Sequence, residues 1–166
     1  MKIFLNSANE SWVVDRFREE WIQFNTETFT ENIEEADIVW IIAPWAWRKI
    51  PKKYLKDKKV VCTIHHIDFE KFNKKERKNF NKRDRYVDIY HSISSKTTDQ
   101  ITEVTNKEIV TIPFWINQNI FYSINENHKI KSKYGLEENT YYIGSFQRDT
   151  EGKDLISPKL SKGPDR

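Results

Sequence analysis

His65 and His66 stand side by side just after an apolar run, Val60 to Ile64, and just before Ile67-Asp68. Imidazole exchanges a proton near neutral pH, so a histidine at the end of a buried strand can orient or deprotonate a substrate hydroxyl. The same position also suits a structural pair, with His65 packed against a backbone carbonyl and His66 on the surface. A second group of chemistry-bearing residues lies far along the chain. Arg148 follows the apolar run Thr140 to Phe146, and Lys159, Lys162 and Gly163 come after it. A guanidinium fork and an ammonium, beside a glycine that lets backbone approach a ligand closely, are what an anionic diphosphate needs. Lysines in a polar loop are, equally, often only solvated.

Other chemistries lack their residues. No HExxH, HxH or cysteine-rich spacing accompanies the histidine pair, so a zinc site is not expected. The loop after the first apolar run reads Asn6-Ser7-Ala8-Asn9-Glu10. It carries neither GxGxxG nor GxxxxGK[ST], and the dinucleotide and P-loop readings lose their phosphate cradle. No GxSxG elbow is present, nor the acid that a receiver domain places at the end of a central strand. Cys62 is the single cysteine, which rules out an internal disulfide and fits a reducing compartment.

The elements that must position these residues can be read from apolar periodicity. Short apolar runs recur at Ile3 to Leu5, Ile38 to Ile42, Val60 to Ile64, Val87 to Tyr90 and Ile109 to Ile112. Each has the length of a buried strand with little polar alternation, which implies a sheet covered on both faces. Helical patterns lie between them: Ser11 to Phe24, a short one around Pro51 to Leu55, a long one from about Asp68 to Asp84, and Ser94 or Ser95 to Val104. In the first of these, Trp12, Val13, Phe17, Trp21 and Phe24 form the apolar stripe, while Asp15, Arg16, Arg18, Glu19 and Glu20 are expected on the wet face. Thr26 to Thr30 reads as a short edge strand and Glu31 to Ala36 as a helical turn. The order predicts an α/β, Rossmann-like, doubly wound and mainly parallel sheet with helices on both faces. Ligands of such sheets bind at the carboxyl ends of the strands. The residues there are Asn6 to Glu10, Ala43 to Trp47, His65 to Asp68, His91 to Ser95 and Pro113 to Asn117.

With 166 residues, the chain can build one ordinary core and a short extension. Its six tryptophans argue against disorder, and a net charge of +3 is too small to define a nucleic-acid binder, for which no motif is present either. No leader pattern opens the sequence and no run reaches the roughly 20 apolar residues that span a bilayer, so a cytoplasmic protein is expected. Residues 70–85 are strongly basic, with Lys71, Lys74, Lys75, Arg77, Lys78, Lys82, Arg83 and Arg85 against Glu70, Glu76 and Asp84. Such a face is ordinarily solvated, with Phe69, Phe72, Phe80 and Tyr86 turned to the sheet. Peripheral attachment to the inner face of an anionic membrane, at roughly 1 kcal/mol per basic residue near the surface, is the sharper expectation. Co-sedimentation with anionic vesicles at low salt, lost at high salt, is the expected result; no binding at low salt removes the idea.

Taken in order, several segments resemble the GT-B glycosyltransferases, in particular the large retaining family of sucrose, mannosyl and polysaccharide-assembly enzymes. Val60-Val61-Cys62-Thr63-Ile64-His65-His66 resembles the amino-lobe strand whose terminal histidine faces acceptor and transferred sugar. Val87 to Ser95 resembles the next strand with its Ser-bearing turn. Ile112-Pro113-Phe114-Trp115-Ile116-Asn117, with Phe121, is similar to the segment that closes the amino lobe. Tyr142-Ile143-Gly144-Ser145-Phe146-Gln147-Arg148 resembles the first strand of the donor lobe, and Lys162-Gly163-Pro164-Asp165 its Lys-Gly-x-Asp element. The glycine-rich loop that many relatives carry after the first strand is absent.

The resemblance implies an acceptor-side lobe over residues 1–118, an interdomain linker with a helix over 119–139, and the first strand and loop of a truncated donor lobe over 140–166. It makes His65 the catalytic candidate, with His66 the alternative if the register differs by one, and Arg148 and Lys162 the donor-diphosphate ligands. Asn6, Asn9, His66 and Ser94 become candidates for acceptor contacts. The implied activity is transfer of a sugar from a nucleotide-sugar donor to a glycan or lipid-linked acceptor, completed by a carboxyl-terminal lobe, with no cofactor and no required metal because fixed cations neutralise the leaving group. The alternative is a non-catalytic, Rossmann-like glycan-binding or subunit-interaction module.

Overall fold

The structure, a computed structural model, describes residues 1–10, 13–123 and 127–142. Five parallel strands form one sheet in the order β1 (Ile3–Leu5), β2 (Ile38–Ile41), β3 (Lys59–Ile64), β4 (Ile89–Ser92) and β5 (Glu108–Thr111). The helices between them are α1 (Val13–Phe24), α2 (Lys52–Asp57), α3 (Lys74–Asp84) and α4 (Ser95–Thr102), with a 3-10 helix at Pro44–Lys49. Residues 28–30 lie along the outer side of β1: Ile3 N donates to Thr28 O at 2.7 Å and Thr30 N to Ile3 O at 3.1 Å. The spatial order is therefore 28–30, β1, β2, β3, β4, β5.

That edge segment decides the winding. The chain leaves β1 outward through α1, then passes back over β1 to enter β2, and from there it steps one way to β5. The reversal falls between β1 and β2. Right-handed crossovers then require α1 on one face and the later helices on the other, which makes the sheet doubly wound. The packing agrees. Val14, Phe17 and Trp21 of α1 meet Leu5 and Trp40, while Leu55, Phe80 and Ile101 of α2, α3 and α4 meet Val39, Ile41, Val60, Cys62, Ile64 and Tyr90. The two sets alternate along β2, with Val39 and Ile41 on one face and Trp40 on the other, as the two-residue pleat demands.

Local chemistry explains where the elements stop. Helix α3 begins at Lys74, about a turn and a half later than the basic pattern suggests, because Asn73 accepts from the amides of Lys75 and Glu76 as an N-cap. Asp68 to Lys71 instead closes a turn through Lys71 N to Asp68 O, 3.1 Å. Strand β4 begins at Ile89 rather than Val87, since Asp88 first pairs with Val60, accepting from its amide at 2.7 Å through the carboxylate. Of the aromatics expected to face the sheet, Phe80 on α3 is 3 % exposed with Phe72 and Tyr86 packed beside it, but Phe69, in the turn before α3, is 41 % exposed. Lys71, Lys74, Lys75, Arg77 and Lys78 stay on the water side, but Arg83 is buried.

Other expectations change, and Phe24, expected in the apolar stripe of α1, is 66 % exposed at the end of that helix. Cover over the two faces is unequal: α1 and the 113–115 segment shield one face only in part, leaving Val110 38 % and Ile112 56 % exposed. A single helix is about 10 Å wide whereas five strands about 4.8 Å apart span nearly twice that, so α1 cannot roof the sheet alone. Glu20, expected on the wet face of α1, is 5 % exposed, accepting from Trp115 Nε1 at 3.0 Å and Asn117 Nδ2 at 3.4 Å. The segment after β5 lies along α1 and closes over it.

This compact unit runs through Phe121, and residues from Tyr122 belong to a second. Within that second unit, helix α5 (Asn127–Lys133) ends in a Schellman turn: Leu136 N donates to Lys131 O and Gly135 N to Ser132 O, with Gly135 at φ 66°. Tyr141 and Tyr142 carry no regular structure. The rest of the expected strand over 140–146 lies outside the described residues, as do Arg148, Lys159 and Lys162. Among the described residues no helix is long and apolar enough to cross a membrane.

Candidate functional site

The winding reversal places the expected ligand crevice where the loops after β1 and β2 diverge, with the end of β3 alongside. Asn6 is at its base, 4 % exposed. Its Oδ1 accepts from Ile42 N at 3.0 Å and its Nδ2 reaches Ala46 O at 3.5 Å. Both ends of the amide are thus spent tying the two loops together, and Asn6 holds the scaffold rather than a ligand. Ser94 is similarly engaged: it is the N-cap of α4, accepting from Thr97 N at 3.2 Å.

The loop 7–10 has an unexpected anion of its own. The amides of Ala8 and Asn9 donate to Asp15 Oδ1 at 3.0 and 3.1 Å, Glu10 N donates to Oδ2, and Ser7 Oγ lies 2.9 Å from Oδ1. Converging backbone amides at a strand-to-helix turn are the usual cradle of a phosphate. Here the chain fills that cradle with its own carboxylate. Asn9 sits at φ 54°, the left-handed conformation such a turn requires and asparagine tolerates; its side chain is exposed, with Oδ1 2.7 Å from Ser7 Oγ. Asp15→Ala should unfasten this loop and lower unfolding free energy by about 2 kcal/mol, read from urea midpoints. A midpoint equal to the parent's contradicts the assignment.

The 3-10 helix closes the other side. Trp45 Nε1 donates to Glu10 Oε1 at 2.6 Å, and Lys49 Nζ donates to Ala8 O. The Trp45 ring, 52 % exposed, stands 5.7 Å from the ring of His65, and the Phe114 ring stands 5.4 Å from it. His65 is therefore a half-buried imidazole in contact with two aromatic rings. Its Nε2 lies 3.0 Å from Ile42 O. A carbonyl only accepts, so Nε2 carries the proton and Nδ1 is the lone-pair nitrogen. Nδ1 has no partner among the described residues and is not sealed from solvent. Burial lowers the His65 pKa from the ordinary histidine value, chiefly by desolvation, with the Ile42 carbonyl opposing; the ring is neutral at pH 7.

His66, exposed, points elsewhere: it lines a cleft on the α3 side of the sheet. The structure thus separates the pair, and the carbonyl-bound His65 and surface His66 also match the structural alternative. Of the residues singled out by sequence, His65 lies beside Trp45 and Phe114, whereas Asn9 lines a separate cleft with Ser7, Asp15, Arg18 and Glu19. Ser94 caps a neighbouring helix, and Arg148 and Lys162 fall outside the described residues. Among the described residues no cluster of three or more His, Cys, Asp or Glu could hold a metal. Cys62 is fully buried, which pushes its thiol up to about 11 and leaves it unreactive.

Three groups escaped sequence reasoning. Asp15 has nothing in its spacing to mark it as a loop anchor. Trp45 and Phe114 lie in loops after strands, but only the fold brings them around His65. The third is a buried relay under the site: Trp40 Nε1 donates to Thr63 Oγ1 at 2.8 Å, Thr63 Oγ1 lies 3.0 Å from His91 Nδ1, and His91 Nε2 reaches Ile112 O at 2.7 Å. Ile112 O fixes the proton on Nε2, so Nδ1 accepts from Thr63. Desolvation lowers the His91 pKa too. No family model matches the sequence, and no curated protein or solved structure matches it either.

Proposed function

We propose that this chain provides the acceptor-binding lobe of a sugar-nucleotide-dependent glycosyltransferase, which transfers sugar to a glycan or lipid-linked hydroxyl. The observation that carries the reading is His65: a neutral imidazole whose Nε2–H is anchored on Ile42 O, leaving Nδ1 to accept from a hydroxyl beside an exposed tryptophan ring. Aromatic faces suit the apolar faces of sugar rings. The occupied cradle at loop 7–10 also favours a neutral ligand over a phosphate in this lobe. Grip on the donor diphosphate then falls to Arg148 and Lys162, as the resemblance implies.

A second reading, a glycan-binding module without chemistry, is favoured by a different observation. Among the described residues no second titratable side chain hydrogen-bonds to His65, so nothing there relays a proton away from it. Ligand-observed NMR with neutral oligosaccharides tests the shared premise: saturation transfer to a sugar, lost in Trp45→Ala, is expected. Transfer to none of a broad panel removes both readings. Sugar transfer from a nucleotide-sugar donor then separates the enzyme from the module.

A further inference from the structure

A cleft of about 300 Å³ lies on the α3 side of the sheet, away from His65, between Pro44, Ile64, Ile67, Phe72, Phe80 and Arg83. Its base holds an arginine in an unusual state. Arg83 is 7 % exposed, yet no carboxylate among the described residues lies within ion-pair distance of it. Its guanidinium donates once, from one terminal nitrogen to Pro44 O at 3.3 Å, and rests on the Phe80 ring at 5.0 Å. Nε is shielded from solvent with no hydrogen-bond partner. A buried cation with an unmet donor and no counter-charge is costly, and such groups are ordinarily paired.

We propose that this cleft binds a small monocarboxylate with an apolar body, its carboxylate meeting the Arg83 guanidinium and its body lying against Phe72, Phe80, Ile64 and Ile67. The terminal nitrogens of a guanidinium offer paired N–H donors to the two oxygens of a carboxylate, and Lys71 and His66 also line the cleft. The rim explains why one charge suits better than two. Asp68 and Glu76 both line the cleft; Asp68 is offset by Lys71 at 3.8 Å, but Glu76 has no ion-pair partner among the described residues. His66 lines the mouth, Arg48 approaches only through Asn79 at 2.6 Å, and Arg77 lies over Phe72 at 4.9 Å. A dianionic phosphate would face Glu76 with both charges, whereas a monoanion faces it with one.

The site is separate from the His65 crevice, so its test does not depend on any reading of that crevice. Benzoate is titrated into the uniformly ¹⁵N-labelled chain, with inorganic phosphate in a parallel arm. Saturable shifts confined to the amides of Ile64, Ile67, Asn79 and Arg83 are expected for benzoate and not for phosphate. Arg83→Lys, which keeps the charge but not the fork, should weaken binding about tenfold. Glu76→Gln, an exposed change that leaves the fold alone, should tighten it about threefold by removing the opposing charge. No saturable benzoate shift overturns the site. Phosphate binding in its place overturns the carboxylate assignment. A Glu76→Gln affinity equal to the parent's overturns the location, even if Arg83→Lys fails to fold.

Discussion

Replacing His91 by alanine should cost about 3 kcal/mol of unfolding free energy, measured by urea titration at pH 8. The ring is 7 % exposed and fills the space between Trp40, Thr63 and Phe114, with ring centres 5.9 Å from both Trp40 and Phe114. Its loss leaves a void and removes the acceptor of the fully buried Thr63 hydroxyl proton and the donor to the Ile112 carbonyl. His91→Phe keeps the volume but not the hydrogen bonds and should cost about 2 kcal/mol, isolating the polar part. An alanine variant within about 1 kcal/mol of the parent contradicts the relay.

The same ring should make stability depend on pH. Burial holds the folded pKa of His91 below its unfolded value of 6.5. Between those two values the unfolded chain binds more protons, so stability rises with pH there. It is fully present above about pH 6.5 and is lost as pH falls toward the folded pKa, with a limiting slope of about 1.4 kcal/mol per pH unit for His91. His65 shifts in the same direction for the same reason and adds less, being partly exposed. His91→Phe should flatten the slope; an unchanged slope assigns it to other groups.

The sheet was legible because its strands are continuous apolar runs, and Ile3–Leu5 and Ile38–Ile41 fall where those runs place them. The edge strand expected over Thr26 to Thr30 reduces to a turn and a single bridge at Phe29, and its place as the point of reversal was not legible, since strand order is a property of crossovers rather than of local sequence. Periodicity also misled where a side chain's partner came from far away. Glu20 and Arg83 look like surface charges on their helices, and both are buried because distant segments cover or adjoin them: Trp115 for one, Pro44 for the other. His65 was visible as a residue at a strand end. Its tautomer and aromatic walls were not, because Ile42, Trp45 and Phe114 meet it only after three loops converge.

That convergence makes His65→Ala the decisive functional change. On the proposed glycosyltransferase reading, sugar transfer should fall about a hundredfold, within the range a positioned imidazole contributes. Stability should fall far less than for His91→Ala, since the ring is only half buried. The protonation state sharpens the expectation. A hydroxyl can donate to Nδ1 only while the ring is neutral, and burial lowers the His65 pKa beneath 6.5. Activity should therefore hold from pH 8 down through pH 6.5 and decline only below it, as protonation of Nδ1 removes the acceptor. His65→Gln, whose amide can donate to Ile42 O and still present an oxygen, should recover part of the lost rate and abolish the acid decline. A decline centred above pH 6.5, or turnover in His65→Ala equal to the parent's, removes His65 from the reaction and leaves the crevice as a binding surface.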